Sequence, residues 1–524
     1  MTPQFSEIHQ TRTGVVFLLG EQAYKVKRPV TSACCDLRTV AARTAACLRE
    51  VELNRRLTPD VYLGVGALPA PEGTEGEPAV LMARMPADRR LSTRVRSGAT
   101  ADEDVQSIAR RIAVFHEQCG RGPEVSAQGS RDALQDRWNA NLDEARRFDR
   151  GALTDADLHA VAEDSAQFLA GREPLFDRRV EEKRILDGHG DLLADDIFCL
   201  DDGPRILDCL DYDNRLRHVD AIDDIAFLAM DLERLGAPAL TSRLLGWYRE
   251  FSGDTAPAAL VHHYIAYRAF LRAKVAGQDA AQGDPTAGAA ARELMGITRR
   301  HLGASAVRLV LVGGLPGTGK STLAGLIGDE LGHVVLRSER IRRELAGIDP
   351  LEPAPAAHRQ DLYAPDHTRA VYTELLARAE LLLGLGESVT LDATWCSGAD
   401  RAAAAELAVR THSRLTSLRC QATAAIASAR MRRRGGPTAA DDAIAATMRS
   451  DGHMWAPSRI IDTSGSPATA AAIAVNLIHP SEQGRPWFAA APSPSPHTGG
   501  HQVFPPGWSE DGMPPPNPML HRNS

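Results

Sequence analysis

The apolar positions of this chain fall into runs of distinct period. Residues 309–312, LVLV, are continuously apolar and bounded by glycines on the carboxyl side. Such a run predicts a strand buried on both faces, as in a parallel sheet. Residues 15–19 and 23–26, parted by Gly20-Glu21, predict two strands, with Pro29 closing the second. Lys25 and Lys27 share one face of that second strand by its two-residue period. Residues 61–68 and 79–85 predict a strand pair joined by the turn-rich stretch 69–78. Residues 38–57, stopped by Pro59, predict a helix, and 99–119, with Thr100 or Asp102 as cap, an amphipathic one.

Further on, 197–200 and 205–207 predict a hairpin around the turn Asp201-Asp202-Gly203-Pro204. The pattern is helical from 238 to 301, and Gly303-Ala304-Ser305 reads as a linker. Beyond it, short apolar runs near 334–337, 388–392, 415–421 and 459–462 alternate with helical patterns, the longest at 367–386. Strands alternating with helices predict a three-layer α/β/α unit on a parallel sheet. Three parts are expected: 1–303, 304–480, and a Pro-rich tail, 481–524, whose composition predicts disorder.

Composition narrows the classes. At 43% hydrophobic residues the chain has enough apolar side chains for real cores. A formal net charge of -8 gives no basic character that would point to nucleic acid or an anionic membrane. The eight cysteines include no C-x-x-C pair, so neither a zinc site nor a disulfide framework is indicated. No leader-like basic and apolar start and no run of about 18 apolar residues is present, so a cytoplasmic protein is expected.

The strand 309–312 leads into Gly313-Gly314-Leu315-Pro316-Gly317-Thr318-Gly319-Lys320-Ser321-Thr322 and then a helical pattern. This is G-x-x-x-x-G-K-[ST] between a strand and a helix, the context that gives the motif meaning. Residues 314–322 would cradle phosphates through backbone N–H groups at a helix N-terminus, with Lys320 on the outer phosphates and Ser321 on magnesium. ATP and Mg2+ are therefore the expected ligands. Asp392, at the carboxyl end of the predicted strand 388–392, is the expected acid that positions the metal. Arg430, Arg432, Arg433 and Arg434 form a basic run without interleaved aromatics; Arg430 and Arg434, one helical turn apart, are the expected lid pair over the phosphates.

In the first half, Asp191, Asp195 and Asp196 precede the hairpin and Asp208 and Asp211 follow it. Carboxylates at both ends of a tight hairpin can converge on one point, as magnesium requires. The segments HGDLLADD and ILDCLDYD resemble the H-G-D-x-x-x-x-N loop and the following metal-binding strand of the aminoglycoside phosphotransferase family, which has a protein-kinase-like, bilobal fold. YKVKRP, the E-x-x-x-N-R of the first helix and DIAFLAMDL extend the resemblance over roughly residues 1–300. The resemblance implies Asp191 as catalytic base, Asp208 and Asp196 on magnesium, Lys25 on the nucleotide phosphates with Glu50 as its helix partner, and 83–86 as a hinge beside adenine. Asp196 stands where that family has asparagine, and Gly14 is the single glycine where a glycine-rich loop is expected. His189 is read as a structural histidine of the loop, and Arg215 and Asp220 as a supporting ion pair.

HVVLRSERIRREL resembles the S-D-x-x-R segment of small P-loop kinases of the gluconate-kinase and polynucleotide-kinase type. It implies Glu339 near an acceptor hydroxyl and Arg342 on a substrate anion, with glutamate replacing that family's aspartate. The two resemblances together predict an ATP-dependent kinase acting on a hydroxyl of a small molecule such as a sugar or aminoglycoside. A nucleotide-sensing regulator with a silent first half and a polynucleotide 5′-hydroxyl kinase are the alternatives.

Overall fold

The structure is a computed structural model that describes residues 6–10, 14–31, 36–68, 76–98, 101–148, 151–349, 362–433, 455 and 458–479. The predicted tail, most of the 69–78 connection, Thr100 and Arg434 lie outside the described residues. The chain divides into two compact units, with the main division between Ser305 and Ala306.

The first unit opens with a five-stranded antiparallel sheet in the order β1-β2-β3-β5-β4. Its strands are β1 (Ser6–Gln10), β2 (Gly14–Leu19), β3 (Gln22–Lys27), β4 (Tyr62–Leu68) and β5 (Glu77–Ala83). β1, SEIHQ, has no apolar alternation and is invisible to the pattern; it lies at the sheet edge and pairs only with β2. Helix α1 (Val40–Asn54) packs on this sheet, its first turn capped by Thr39, whose side chain accepts from the Ala42 N–H at 3.1 Å. Its buried stripe is Cys47, Glu50, Val51 and Asn54, three-to-four spaced, with two polar residues inside it.

The rest of this unit is helical, interrupted by two short ribbons: β6 (Ile185–Asp187) with β9 (His218–Asp220), and β7 (Ile197–Leu200) with β8 (Gly203–Ile206). Helix α2 (Ala221–Arg234) is buried from Ala221 to Leu232, three aspartates included. Helix α3 (Ala258–Ala281) follows. The predicted linker 303–305 is not one: the last helix of this unit, Ala287–Ser305, runs through it, with Gly303 and Ser305 buried. Small residues there serve close packing rather than flexibility. Sheet, crossing helix and helical half together make the bilobal, protein-kinase-like class expected from sequence.

The second unit carries an all-parallel sheet in the order β11-β12-β10-β13-β14, made of β10 (Arg308–Gly313), β11 (Val334–Arg337), β12 (Val389–Asp392), β13 (Arg414–Gln421) and β14 (Arg459–Asp462). β10 and β12 are buried at every position, and in β10 this leaves the unbroken apolar run 309–312, whereas β12 buries Thr390 and Asp392 as well. Helices α4 (Lys320–Leu331), α5 (Ser338–Leu345), α6 (Pro365–Gly384), α7 (Gly398–Arg410), α8 (Ala424–Arg433) and α9 (Pro467–Ile478) connect and cover these strands. The core joins β10, β13 and β14 to α4 and α9 through Val310, Leu323, Leu418, Ile461 and Val475. This is the three-layer α/β/α class predicted for the second half.

Gly313 ends β10 directly beneath two tryptophans. A Cβ there would lie 2.2 Å from the Trp455 ring and 3.1 Å from Trp395. Gly313→Ala is therefore expected to destabilise the second unit by about 1–3 kcal/mol, as overpacking does. The urea midpoint of the tryptophan fluorescence transition checks this; an unchanged midpoint would show that Trp455 does not rest on this residue.

Candidate active site

Glu50 is fully buried, and the two lysines of β3 both reach it. Lys25 Nζ lies 2.9 Å from one carboxylate oxygen and Lys27 Nζ 2.6 Å from the other. Each ammonium also holds an aspartate after β8: Lys25 with Asp208 at 2.6 Å and Lys27 with Asp211 at 2.6 Å. Burial alone would lower both ammonium groups, but the surrounding carboxylates hold both above the usual lysine range. The resemblance implied Lys25 alone as the partner of Glu50; the two-residue period puts Lys27 on the same carboxylate as well.

Helix α1 and the turn that follows it also fix the strand and loop carrying the aspartates. Asn54 Oδ1 accepts the Cys209 N–H at 2.9 Å. Arg56 donates to the carbonyls of Asp187 and Gly188, both at 2.8 Å. Between these points Asp208 adopts a left-handed backbone, φ 63°, unusual for a non-glycine residue and typical of functional positions. Partial desolvation would raise the Asp208 carboxyl, but Lys25 outweighs it and holds the group below its ordinary value.

The loop around Asp191 is held by its backbone. Asp224 of α2 accepts from the N–H groups of His189 at 2.7 Å and Gly190 at 2.9 Å. Asp231, two turns on, accepts from Ala194 N–H at 2.9 Å. Behind Asp224 lies His116, its Nε2 3.1 Å from the carboxylate and its Nδ1 2.8 Å from the Tyr248 hydroxyl. A carboxylate can only accept, so Nε2 carries a proton and donates to Asp224. His189 uses both nitrogens structurally: Nδ1 accepts from Asp191 N–H at 3.3 Å and Nε2 donates to Leu207 O at 3.1 Å. Burial pushes its pKa down to about 4, so the ring is neutral. Arg215 and Asp220 do not pair. Asp220 binds Arg179 bidentately at 2.6 and 2.8 Å, and Arg215 turns to Asp213 at 3.0 Å, because the buried guanidinium offers a better-formed fork than a surface neighbour. Sequence reasoning passed over Asp224, Asp231, His116 and Tyr248; acids inside the apolar run AIDDIAFLAMDL were the available signal for the first two.

Asp191 is half-buried, and burial raises its carboxyl to about 6. Asp196 is raised well above the usual range by burial and then by Asp208 and Asp191. Among the described residues no group of three or more His, Cys, Asp or Glu side chains is disposed to hold a metal ion. Magnesium shared with phosphates needs only one or two carboxylates, and the mutually repelling Asp196 and Asp208 fit that demand.

In the second unit the loop 314–319 turns through left-handed glycines. At Gly314, φ 136°, a Cβ would fall 2.6 Å from Cys420 O; at Gly317, φ 79°, one would fall 2.5 Å from Ala427 O of α8. Only glycine allows both the torsion and the approach. Lys320 Nζ rests 3.0 Å from Leu315 O, and Thr463, just after β14, donates to Thr318 O at 2.6 Å. Leu315 and Pro316 lie in this loop, and Ser321 and Thr322 in the first turn of α4. Asp392, 5% exposed, ends β12 in register with Val312 of β10. Arg430 of α8 donates to Thr463 O at 2.7 Å, while its Nη1 is buried without a partner among the described residues. A cavity of about 330 Å³ opens here, lined by Gly319, Thr322, Arg430, Arg433, Thr463 and Pro467. An unpartnered guanidinium nitrogen at a helix N-terminus suits a phosphate anion. Glu339 and Arg342 lie on α5. Arg342 is buried and donates to Leu362 O at 2.7 Å and Thr368 Oγ1 at 3.1 Å, whereas Glu339 is half exposed and 3.6 Å from it.

Together these features define a P-loop α/β/α unit preceded by a protein-kinase-like unit. Residues 309–451 match the AAA domain family. The chain is 42% identical over 462 residues to uncharacterized proteins of Mycobacterium tuberculosis (strain ATCC 25618 / H37Rv) and Mycobacterium bovis (strain ATCC BAA-935 / AF2122/97), covering 88% of this chain and 93% of each relative, and it belongs to their family. Among solved structures, similarity is found to a sugar kinase from Janibacter sp. HTCC2649, 19% identical over 34% of this chain and 98% of that one, TM-score 0.24. A choline/ethanolamine kinase family protein from Mesorhizobium loti is 14% identical over 58% of this chain and 92% of that one, TM-score 0.35.

Removing the carboxylate between the two lysines leaves like charges buried together. Glu50→Ala is expected to cost about 3–5 kcal/mol, and Glu50→Ala with Lys27→Met to recover part of it. Urea denaturation of the two variants checks this; an equal loss in both would show that the lysines do not compete for Glu50.

Proposed function

We propose that this protein is an ATP-dependent phosphotransferase with two nucleotide-binding units, acting in the cytoplasm on a hydroxyl of a small molecule such as a sugar or aminoglycoside. The observation that carries this is the pairing of a loop carboxylate raised to about 6, Asp191, with the buried Lys25–Glu50 pair that reaches Asp208. A general base poised near neutral pH can accept a hydroxyl proton, and a lysine held by a buried carboxylate can bind phosphate oxygens. The first unit of this scheme ends with the helix that closes at Ser305, and the second begins at Ala306.

In the first unit Asp191 takes the acceptor proton, Lys25 binds the nucleotide phosphates, and Asp208 and Asp196 hold magnesium. In the second, residues 314–322 bind the phosphates, Lys320 neutralises the outer ones, Ser321 and Asp392 hold the metal, and Arg430 with Arg434 closes over the transferring group. Glu339 faces the acceptor there, with Arg342 beside it. Magnesium, when bound, offsets charge on the bridging phosphate oxygens. The protein's own part is positioning and preorganised charge.

The test uses the full chain with Lys320→Ala, to silence the P-loop unit, and measures ADP release over a panel of hydroxylated acceptors. Asp191→Asn added to this background is expected to lower kcat by about 10²–10⁴-fold. A raised carboxyl must lose its proton to act as base, so kcat/KM should fall about tenfold per pH unit below about pH 6 and level off above it. Turnover indifferent to Asp191→Asn, or flat through pH 5, would reject the assignment.

A further inference from the structure

Helix α3 carries two arginines one turn apart, Arg268 and Arg272, and therefore on one face. Arg268 fixes where that face points. Its Nη1 donates to Gly190 O, next to Asp191, at 3.2 Å, and its Nε donates to Asp223 Oδ1 at 2.7 Å. The guanidinium also lies 4.8 Å over the Phe227 ring. Its charge is thus cancelled by Asp223 within a buried pair.

Arg272 differs. It is half-buried and, among the described residues, makes no hydrogen bond or ion pair. Of the charged groups acting on Asp191, Arg272 is the strongest, ahead of Asp208, Arg268 and Asp231. Each of those three already has a counter-charge: Asp208 has Lys25, Arg268 has Asp223, and Asp231 has Arg234. One guanidinium with its fork of donors unused therefore stands beside the loop that carries the base. A guanidinium fork matches a carboxylate or phosphate bidentately and repels an ammonium.

We propose that Arg272 binds an acidic group of the acceptor, a phosphate or carboxylate carried near the hydroxyl that reacts at Asp191. The acceptor of the first unit is then an anionic hydroxylated molecule and not a polyamine. This rests on the phosphotransferase reading of that unit and narrows its substrate class.

The test uses the full chain with Lys320→Ala, and four probes: glucose 6-phosphate, gluconate, glucose and kanamycin. Calorimetric titration measures binding and ADP release measures turnover, each with Arg272, Arg272→Lys and Arg272→Ala. At least one acidic probe is expected to bind, and Arg272→Ala to weaken it about 10- to 100-fold, Arg272→Lys less, with glucose and kanamycin unmoved. Preference between the two acidic probes separates phosphate from carboxylate. Where an acidic probe is turned over, KM should rise in Arg272→Ala far more than kcat falls. The inference is overturned if neither acidic probe binds, if their affinity ignores Arg272→Ala, or if kanamycin binds in preference. Equal kcat losses for every acceptor also overturn it, placing Arg272 on the transferring phosphoryl group. Acidic probes bound through Arg272 without ADP release uphold the inference and reject phosphoryl transfer by this unit.

Discussion

A carboxylate sealed from water needs positive charge close by, and the first unit is arranged around meeting that need at Glu50. Two ammonium groups from one strand flank it, and each is shared with an aspartate from the segment after β8. The four contacts tie together β3, α1 and the chain that bears Asp208, elements far apart in sequence. A buried ion pair is a weak source of stability, because desolvation offsets much of the attraction. What it fixes is geometry: the lysines can stay charged in a dry place only where the carboxylates are.

The second unit meets a different constraint with the same economy of means. Backbone N–H groups converge on an anion only if no side chain intrudes, so the loop after β10 is built from glycines whose missing Cβ atoms leave space taken by Cys420 O and by α8. Both units therefore place fixed positive charge before any ligand arrives, one through side chains and the other through the main chain. Preorganisation of this kind suits phosphoryl transfer, where there is little covalent chemistry for a protein to perform.

Much of this was legible in the residues. LVLV followed by glycines, lysine and serine specified strand, loop and helix, because a doubly buried strand leaves a continuous apolar run. Glu50 was reached through the resemblance carried by E-x-x-x-N-R, and its burial with Asn54 inside the helix's apolar stripe came from the structure. What failed to show was tertiary in origin. β1 carries no alternation because an edge strand need not bury one face. Arg215 and Asp220 are near in sequence, but Arg179, 41 residues from Asp220, supplies the better fork. Gly303-Ala304-Ser305 has a linker's composition, yet small residues equally permit a helix to pack closely. Arg272 belongs to no motif, and only the position of Arg268 against Gly190 shows which way its face turns.

The link from Thr463 to Thr318 has a consequence for biosynthesis. β10 is the middle strand of its sheet, with partners beginning at Val389 and Arg414, and the loop that follows it is pinned by a residue 145 positions later. As the chain leaves the ribosome, the first unit can collapse while the loop for triphosphate is still unsupported. Support for this loop thus arrives late, once β14 has emerged, so a truncated product from an interrupted translation would carry the signature motif without the residue that pins it.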